Sequence, residues 1–327
     1  MSYKYTDNNP IIEGRYDAYG RQPYWRQGHK GAAIVKGVVI PVKVAIIDEF
    51  KISHGPYMAS VRKFIAPECE LYKYDMETNA VYQIMRCLKQ CIVDGINIVS
   101  ISRSTDNPRS DLHKLIQECR NKHNMLIFCS AGNNGLEYRD HIDIKMYPAA
   151  WDETISCLST DNDFTFSDFA SHGSTGTITG FGRNALVEDD EGNEFLVSGT
   201  SPVTPALAFT AALHWGKYLT EHGCDPTVDY MTEFIITNTV DLGAEGRDNF
   251  FGYGFFTLDI REFLRVKVMI FDYNKNGLED RLDKIKALML DGMSEDDAFN
   301  VISDKYIVIG QVYLEGLRIP LHGGEKT

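Results

Sequence analysis

Four short apolar runs, the first two each followed by a stretch with helical periodicity, constrain this chain more than any other feature. VKVAIID (42–48), a β-branched run, is joined by INIVSIS (96–102), MLIFCS (125–130) and TISCLS (154–159), and the charges among them are Lys43 and Asp48 alone. Such runs suit strands buried on both faces. Between them, 76–93 puts Val81, Ile84, Met85, Leu88, Cys91 and Ile92 on one stripe. The segment 109–122 does the same with Leu112, Leu115, Ile116 and Cys119. Strand–helix–strand alternation at this spacing predicts an α/β fold: a three-layer sandwich with a mainly parallel sheet and helices on both faces.

Later segments extend the pattern. GTSPVTPALAFTAAL predicts a long helix beginning near Ser201, with Pro202 in the first turn, where a missing N–H costs nothing. A second helix is expected over 226–238, then a Gly- and aromatic-rich strand, FGYGFFTL (251–258). The 327 residues exceed one ordinary domain and fall short of three. We expect an N-terminal arm (1–30), a main domain (31–264) and a small α/β C-terminal appendage (265–327) in which helices are followed by a strand-like IVIGQVYL (307–314).

Charge and cysteine content narrow the function. Thirty-three basic against 46 acidic residues leave a net charge of −13, which opposes binding to nucleic acid. The first residues lack a basic segment followed by an apolar one, and no apolar run reaches the roughly 18 residues needed to span a bilayer. Seven cysteines, an odd number without a CxxC pair, suggest neither a disulfide framework nor a zinc site. Cys87 and Cys91 share a helix face and read as core thiols. The expectation is a reduced, cytoplasmic protein without a membrane or nucleic-acid partner.

Three polar residues fall where open α/β sheets place their sites, at strand C-termini and helix starts. Asp48 closes the first strand, His54 opens the HGPYMASV helix, and Ser201 opens the GTSPVTP helix. Singly, Asp48 reads as a strand-end cap, His54 as a turn residue, Ser201 as an N-cap, and Asn133-Asn134-Gly135 as a tight turn. Together, the first three supply a nucleophile, a base to take its proton, and a carboxylate to orient the imidazole. A nucleotide-binding α/β protein is excluded because no Gly-rich loop follows the first strand.

The order Asp, His, Ser resembles that of the subtilisin-like serine proteases (subtilases), and the resemblance runs from about residue 30 to 262. VKVAIID resembles the strand carrying the family's Asp, and HGPYMASVRKFIAPECELY its HGTxVAG helix and following strand. SAGNNG (130–135) resembles AAGNxG, MYPAAWDETISCLST a later strand region, GTSPVTP the GTSxxxP motif, and FGYGFFTL the closing YGxGxxNV strand. The resemblance implies a serine endopeptidase that takes a protein or peptide substrate. Its triad would be Asp48, His54 and Ser201, with Asn133 in the oxyanion hole and no cofactor needed for catalysis. It also implies a specificity pocket lined by Ser102, Arg103, Ser104, Ala131, Gly132 and Met146. In that pocket Ser104 and Met146 would narrow the space, and Arg103 would either attract an acidic substrate side chain or pair with a surface carboxylate. These features together imply a selective, processing-type protease.

The chain also departs from the family. Asp48-Glu49-Phe50 stands where Asp-Ser/Thr-Gly is usual, Ser102-Arg103-Ser104 where Ser-Leu-Gly is usual, and Phe209 where Gly is preferred. Only five residues separate Asp48 from His54, against a few tens in the family. Six Cα steps span at most about 20 Å, so the pair can still meet. The shortened link and Phe209 support the alternative of an inactive subtilase fold that acts as a binding or regulatory protein. The short N-terminal region resembles intracellular subtilases without a folded prodomain; NNPIIEGR (8–15) reads either as an inhibitory strand or as a surface arm. In the appendage, FDYNKNGLEDRLDK sets Asp272, Asn274, Asn276, Asp280 and Asp283 at positions one, three, five, nine and twelve, with Gly277 at six. It resembles a calcium loop, and reads equally as an Asn-Gly turn leading into a helix. The appendage is also a candidate for self-association.

Overall fold

The computed structural model describes residues 32–258, apart from 36–37, 78–80, 139–140 and 162–163. The N-terminal arm, NNPIIEGR, the appendage and the acidic loop of Asp272, Asn274, Asn276, Asp280 and Asp283 lie outside the described residues.

An antiparallel ribbon, β1 (Ala32–Val35) and β2 (Val38–Pro41), leads into β3 (Lys43–Asp48). There follow α1 (His54–Ile65), β4 (Glu70–Asp75), α2 (Val81–Asp94), β5 (Ile98–Ile101), α3 (Ser110–His123), β6 (Leu126–Ser130) and β7 (Ile155–Thr160). After β8 (Ile178–Phe181) comes a hairpin, β9 (Ala185–Glu188) and β10 (Glu194–Val197), then α4 (Thr200–His222) and α5 (Val228–Thr237). Two short strands, β11 (Thr239–Val240) and β12 (Phe255–Phe256), end the described part. The eight-stranded sheet has the order β11-β12-β8-β7-β6-β5-β3-β4, parallel except for the β11–β12 pair.

The chain reverses its winding at β3, since β4 pairs with one edge of β3 and β5 with the other. Right-handed crossovers in opposite directions put their helices on opposite faces. One core accordingly holds Val44 and Ile46 of β3 with α1, α4 and α5 side chains; the other holds Ala45 and Ile47 with α2 and α3. Asp48 continues the parity of Val44 and Ile46, so it belongs to the α1/α4 face at the crevice between β3 and β5. That crevice is where such sheets gather their polar sites.

Helix α4 is buried on all sides from Thr200 to Gly216 except at Ser201, and contributes Leu207, Phe209, Leu213 and Trp215 to the core. Each large side chain of this kind stabilises the fold by about 1.5–3 kcal/mol. Trp215 Nε1 donates to Asp225 Oδ1 at 2.7 Å, so its one polar atom is satisfied. Phe209 is fully buried, and Gly223 ends the helix at φ +71°.

The expected strands at 42–48, 96–102, 125–130 and 154–159 form within one or two residues of those bounds. Two expectations need correction. The helix expected from 76 begins at Val81, because Met76 still belongs to the strand end, its N–H donating to Asp48 O at 2.7 Å. The strand expected over 251–258 shrinks to Phe255–Phe256 because Gly252 and Gly254 turn at φ +63° and +119°. A Cβ at these glycines would lie 2.3 Å from Thr177 O and 2.2 Å from Val240 O, so the chain turns tightly against its neighbours there. Cys87 and Cys91 are both buried in the α2/α3 core, as expected of core thiols.

Candidate active site

The link between β3 and α1 is tight, and Gly55 makes it possible. The Gly55 N–H donates to Glu49 O at 3.1 Å, and a Cβ at Gly55 would stand 2.7 Å from that oxygen. Asp75, at the end of β4, accepts the Phe50 N–H at 2.7 Å and holds the turn against the sheet. The helix therefore starts at His54 itself. His54 Nδ1 reaches both oxygens of Asp48, at 2.8 and 2.9 Å. A carboxylate only accepts, so the proton sits on Nδ1, and Nε2 carries the lone pair in the neutral ring. Asp48 is fully buried and His54 is 30% exposed at its side chain. A buried carboxylate is tolerated only with partners, and Asp48 Oδ1 has three: His54, the Glu49 N–H at 2.7 Å and Arg103 Nη2 at 3.2 Å.

Arg103 follows β5, whose Ile101 pairs with Ile47 of β3, and this register brings its side chain to the Asp48 corner. Its Nη2 also lies 3.3 Å from Glu49 Oε1. The guanidinium is thus engaged by the site's own carboxylates, and neither a distant surface acid nor open solvent holds it.

At the head of α4, Gly199 takes φ +155° ahead of Thr200 and Ser201. Pro205 has no N–H to donate back to the Ser201 carbonyl, as the fifth residue of a regular turn would. Ser102 Oγ donates to that carbonyl at 2.9 Å instead, tying the end of β5 to the start of the helix. The Ser201 side chain has no hydrogen bond among the described residues, and neither has His54 Nε2; no bond joins the two.

Asn133, in the loop after β6, is held the same way. Its Oδ1 accepts the Thr200 N–H at 2.9 Å and the Thr200 hydroxyl at 3.0 Å. Those two donors require the oxygen on that side, which leaves Nδ2 without a partner among the described residues. A Cβ on Gly199 would lie 3.1 Å from Nδ2. The loop itself is braced by Ser171, whose N–H donates to Gly132 O at 2.8 Å and whose Oγ accepts the Asn134 N–H at 3.2 Å. A Cβ on Gly132, at φ +100°, would lie 2.9 Å from Met146 Cγ, so Met146 packs directly over Gly132. Thr105 and Tyr147 exchange backbone bonds of 2.8 and 2.7 Å, joining the segment after Ser104 to the one after Met146.

The structure thus brings Asp48, His54 and Arg103 into one bonded group and Ser102 and Ser201 into a second, and packs Met146 against Gly132; Asn133 is bonded to Thr200, beside Ser201. Ala131, next to Gly132, is buried, and Ser104 is half-buried. Sequence reasoning missed the roles of Gly55, Thr200 and Ser171 and the Arg103–Glu49 contact. Pro205 was a usable signal for the Ser102 bond, since it frees a specific carbonyl.

All described cysteines are free thiols, and all but Cys224 are buried. Burial raises the six buried thiols above the ordinary thiol range, Cys119 to about 12. Among the described residues no group of three or more His, Cys, Asp or Glu could hold a metal ion, and no helix is long and apolar enough to cross a membrane.

A doubly wound parallel sheet with an Asp–His pair at its switch point and a serine at the head of a buried central helix defines a class of α/β protein. The model of the subtilase family matches residues 42–254, and the chain belongs to that family. It is 26% identical over 196 residues to minor extracellular protease Epr of Bacillus subtilis (strain 168), covering 58% of this chain and 28% of that protein. It is also 26% identical over 183 residues to an intracellular serine protease of Paenibacillus polymyxa, covering 55% and 56%. The matched region therefore spans little more than half of either relative at most. Among solved structures, the fold is similar to a lanthipeptide protease (TM-score 0.64, 22% identity, 80% of this chain and 97% of that one). It is similar also to the prenylagaramide maturation protease PagA (TM-score 0.57, 20% identity, 69% and 93%).

Proposed function

We propose that this chain is a serine endopeptidase that acts through Asp48, His54 and Ser201. The observation that carries the reading is the two-oxygen bond from Asp48 to His54 Nδ1. It leaves a basic Nε2 on the half-exposed side of a ring that opens α1. In the proposed cycle Ser201 Oγ attacks the peptide carbonyl carbon and its proton passes to His54 Nε2. The amine leaves with that proton, and water, deprotonated by the same nitrogen, then hydrolyses the acyl ester. The developing oxyanion would be met by Asn133 Nδ2 and the Ser201 N–H, two donors left open at the head of α4. Every transfer is made by these side chains and water, without a cofactor.

The proposed pocket is lined by Ser102, Arg103, Ser104, Ala131, Gly132 and Met146. Met146 over Gly132 narrows it and Arg103 is already engaged, which supports selective processing of a protein or peptide over general digestion. The similar folds include a lanthipeptide protease and a maturation protease, in keeping with that reading. Free thiols throughout the described part support a reducing, cytoplasmic setting, and the net charge of −13 supports partners other than nucleic acid. A second reading, a silent fold that binds peptides, draws on the missing His54–Ser201 hydrogen bond, although such bonds often tighten only with substrate. The test is digestion of a proteome-derived peptide library by wild type and Ser201→Ala. Cleavage confined to wild type and to a narrow set of sequences is expected. Broad cleavage after large apolar residues would refute selectivity, and cleavage by neither protein would leave the silent fold.

A further inference from the structure

Two departures from the family's pattern, Glu49 beside the aspartate and Arg103 after β5, lie far apart in sequence and touch in space. Arg103 Nη2 stands 3.2 Å from Asp48 Oδ1 and 3.3 Å from Glu49 Oε1. All three side chains are largely out of solvent, at 0%, 19% and 21% exposure for Asp48, Arg103 and Glu49.

We propose that Arg103 is a positioning residue that holds the Asp48 carboxylate against His54, and that Glu49 offsets the charge it brings. The inference rests on the proteolytic reading of the site. The corner needs such a group because only five residues join Asp48 to His54. A link this short supplies Asp48 with one N–H, that of Glu49, and little else. Arg103 reaches in from the neighbouring strand and fixes Oδ1 from a third direction. A lone guanidinium there would cancel the carboxylate and oppose a positive charge on the imidazole during acyl transfer. With Glu49 added, the formal charges of Asp48, Arg103 and Glu49 are −1, +1 and −1, so a net −1 still faces the ring. Glu49 and Arg103 thus act as one compensated pair, and neither substitution makes sense alone. A role for Arg103 in attracting acidic substrates predicts different behaviour, because only its Nη2 is engaged by Asp48 and Glu49 and a substrate-binding role of the remaining N–H groups would change half-saturation and leave the maximal rate intact.

The test is the rate of labelling by a fluorophosphonate serine probe across wild type, Arg103→Ala, Arg103→Lys, Glu49→Gln and the Arg103→Ala/Glu49→Gln double variant, with Ser201→Ala as the blank. Loosening a reacting geometry by about 1 Å costs on the order of 10²-fold. Arg103→Ala should lower the maximal labelling rate by up to about that factor, with the half-saturating probe concentration unchanged. Added guanidinium should restore part of the rate to Arg103→Ala and none to Ser201→Ala, a response a merely structural defect would not give. Arg103→Lys should fall between. Glu49→Gln should slow labelling less than Arg103→Ala does, and the double variant should lose less than the product of the two single losses. An unchanged maximal rate in Arg103→Ala, a change in half-saturation alone, or no guanidinium rescue would overturn the positioning role while the proteolytic reading stood. Absence of wild-type labelling would overturn both.

Discussion

The two halves of the site are built in opposite ways. At the β3–α1 corner every polar atom of the Asp48 carboxylate is engaged, by His54, the Glu49 N–H and Arg103. At the head of α4 the backbone is pinned, through Ser102 to the Ser201 carbonyl and through Thr200 to Asn133 Oδ1. Yet the Ser201 hydroxyl and Asn133 Nδ2 have no partner among the described residues. The difference follows from what each half must hold. A charge out of water needs its partners permanently, whereas neutral groups that are to meet a reacting carbonyl, as proposed for Ser201 and Asn133, keep their bonding capacity open. In both halves a glycine allows the close approach, Gly55 over Glu49 O and Gly199 beside Asn133.

The contrast can be broken from either side. Asp48→Asn should have the largest effect, a loss of about 10⁴-fold in turnover with little change in stability, since the amide favours the wrong imidazole tautomer; probe-labelling rates and a thermal melt measure the two. Asn133→Ala should lower the labelling rate by about 10²–10³-fold through the lost oxyanion donor. It should also leave Thr200 without its acceptor, so a small loss of thermal stability should accompany it. Gly55→Ala should destabilise the fold by about 1–3 kcal/mol in a urea titration, because its new methyl would stand 2.7 Å from Glu49 O. Ser102→Ala should cost least, about 0.5–1.5 kcal/mol, by removing the donor to the carbonyl that Pro205 leaves free.

Much of this architecture was legible in the chain itself. A β-branched run such as VKVAIID suits a strand covered on both faces, and its alternation with helical stretches pointed to the parallel sheet and its helices. Local closures were less legible. The α2 start moved to Val81 because Met76 bonds back to Asp48, and FGYGFFTL turned at Gly252 and Gly254 before pairing. The β8 to β10 region and the leading ribbon were not anticipated, since their short four-residue strands carry no clear period. In the candidate site, motif order pointed to Asp48, His54, Asn133 and Ser201, because motifs record which residues occur. Their bonding partners depend on the register between strands. Arg103 meets Glu49 only because Ile101 pairs with Ile47, a fact no single segment contains.

The central claim is that a link of five residues still delivers a working Asp48–His54 pair to Ser201. Mass-spectrometric mapping of a fluorophosphonate adduct on wild type and on His54→Ala addresses it most directly. The account predicts a single adduct on Ser201 that forms rapidly in wild type and is slowed by at least about 10³-fold in His54→Ala. An adduct on another residue, or equal labelling of Ser201 in both proteins, would contradict it.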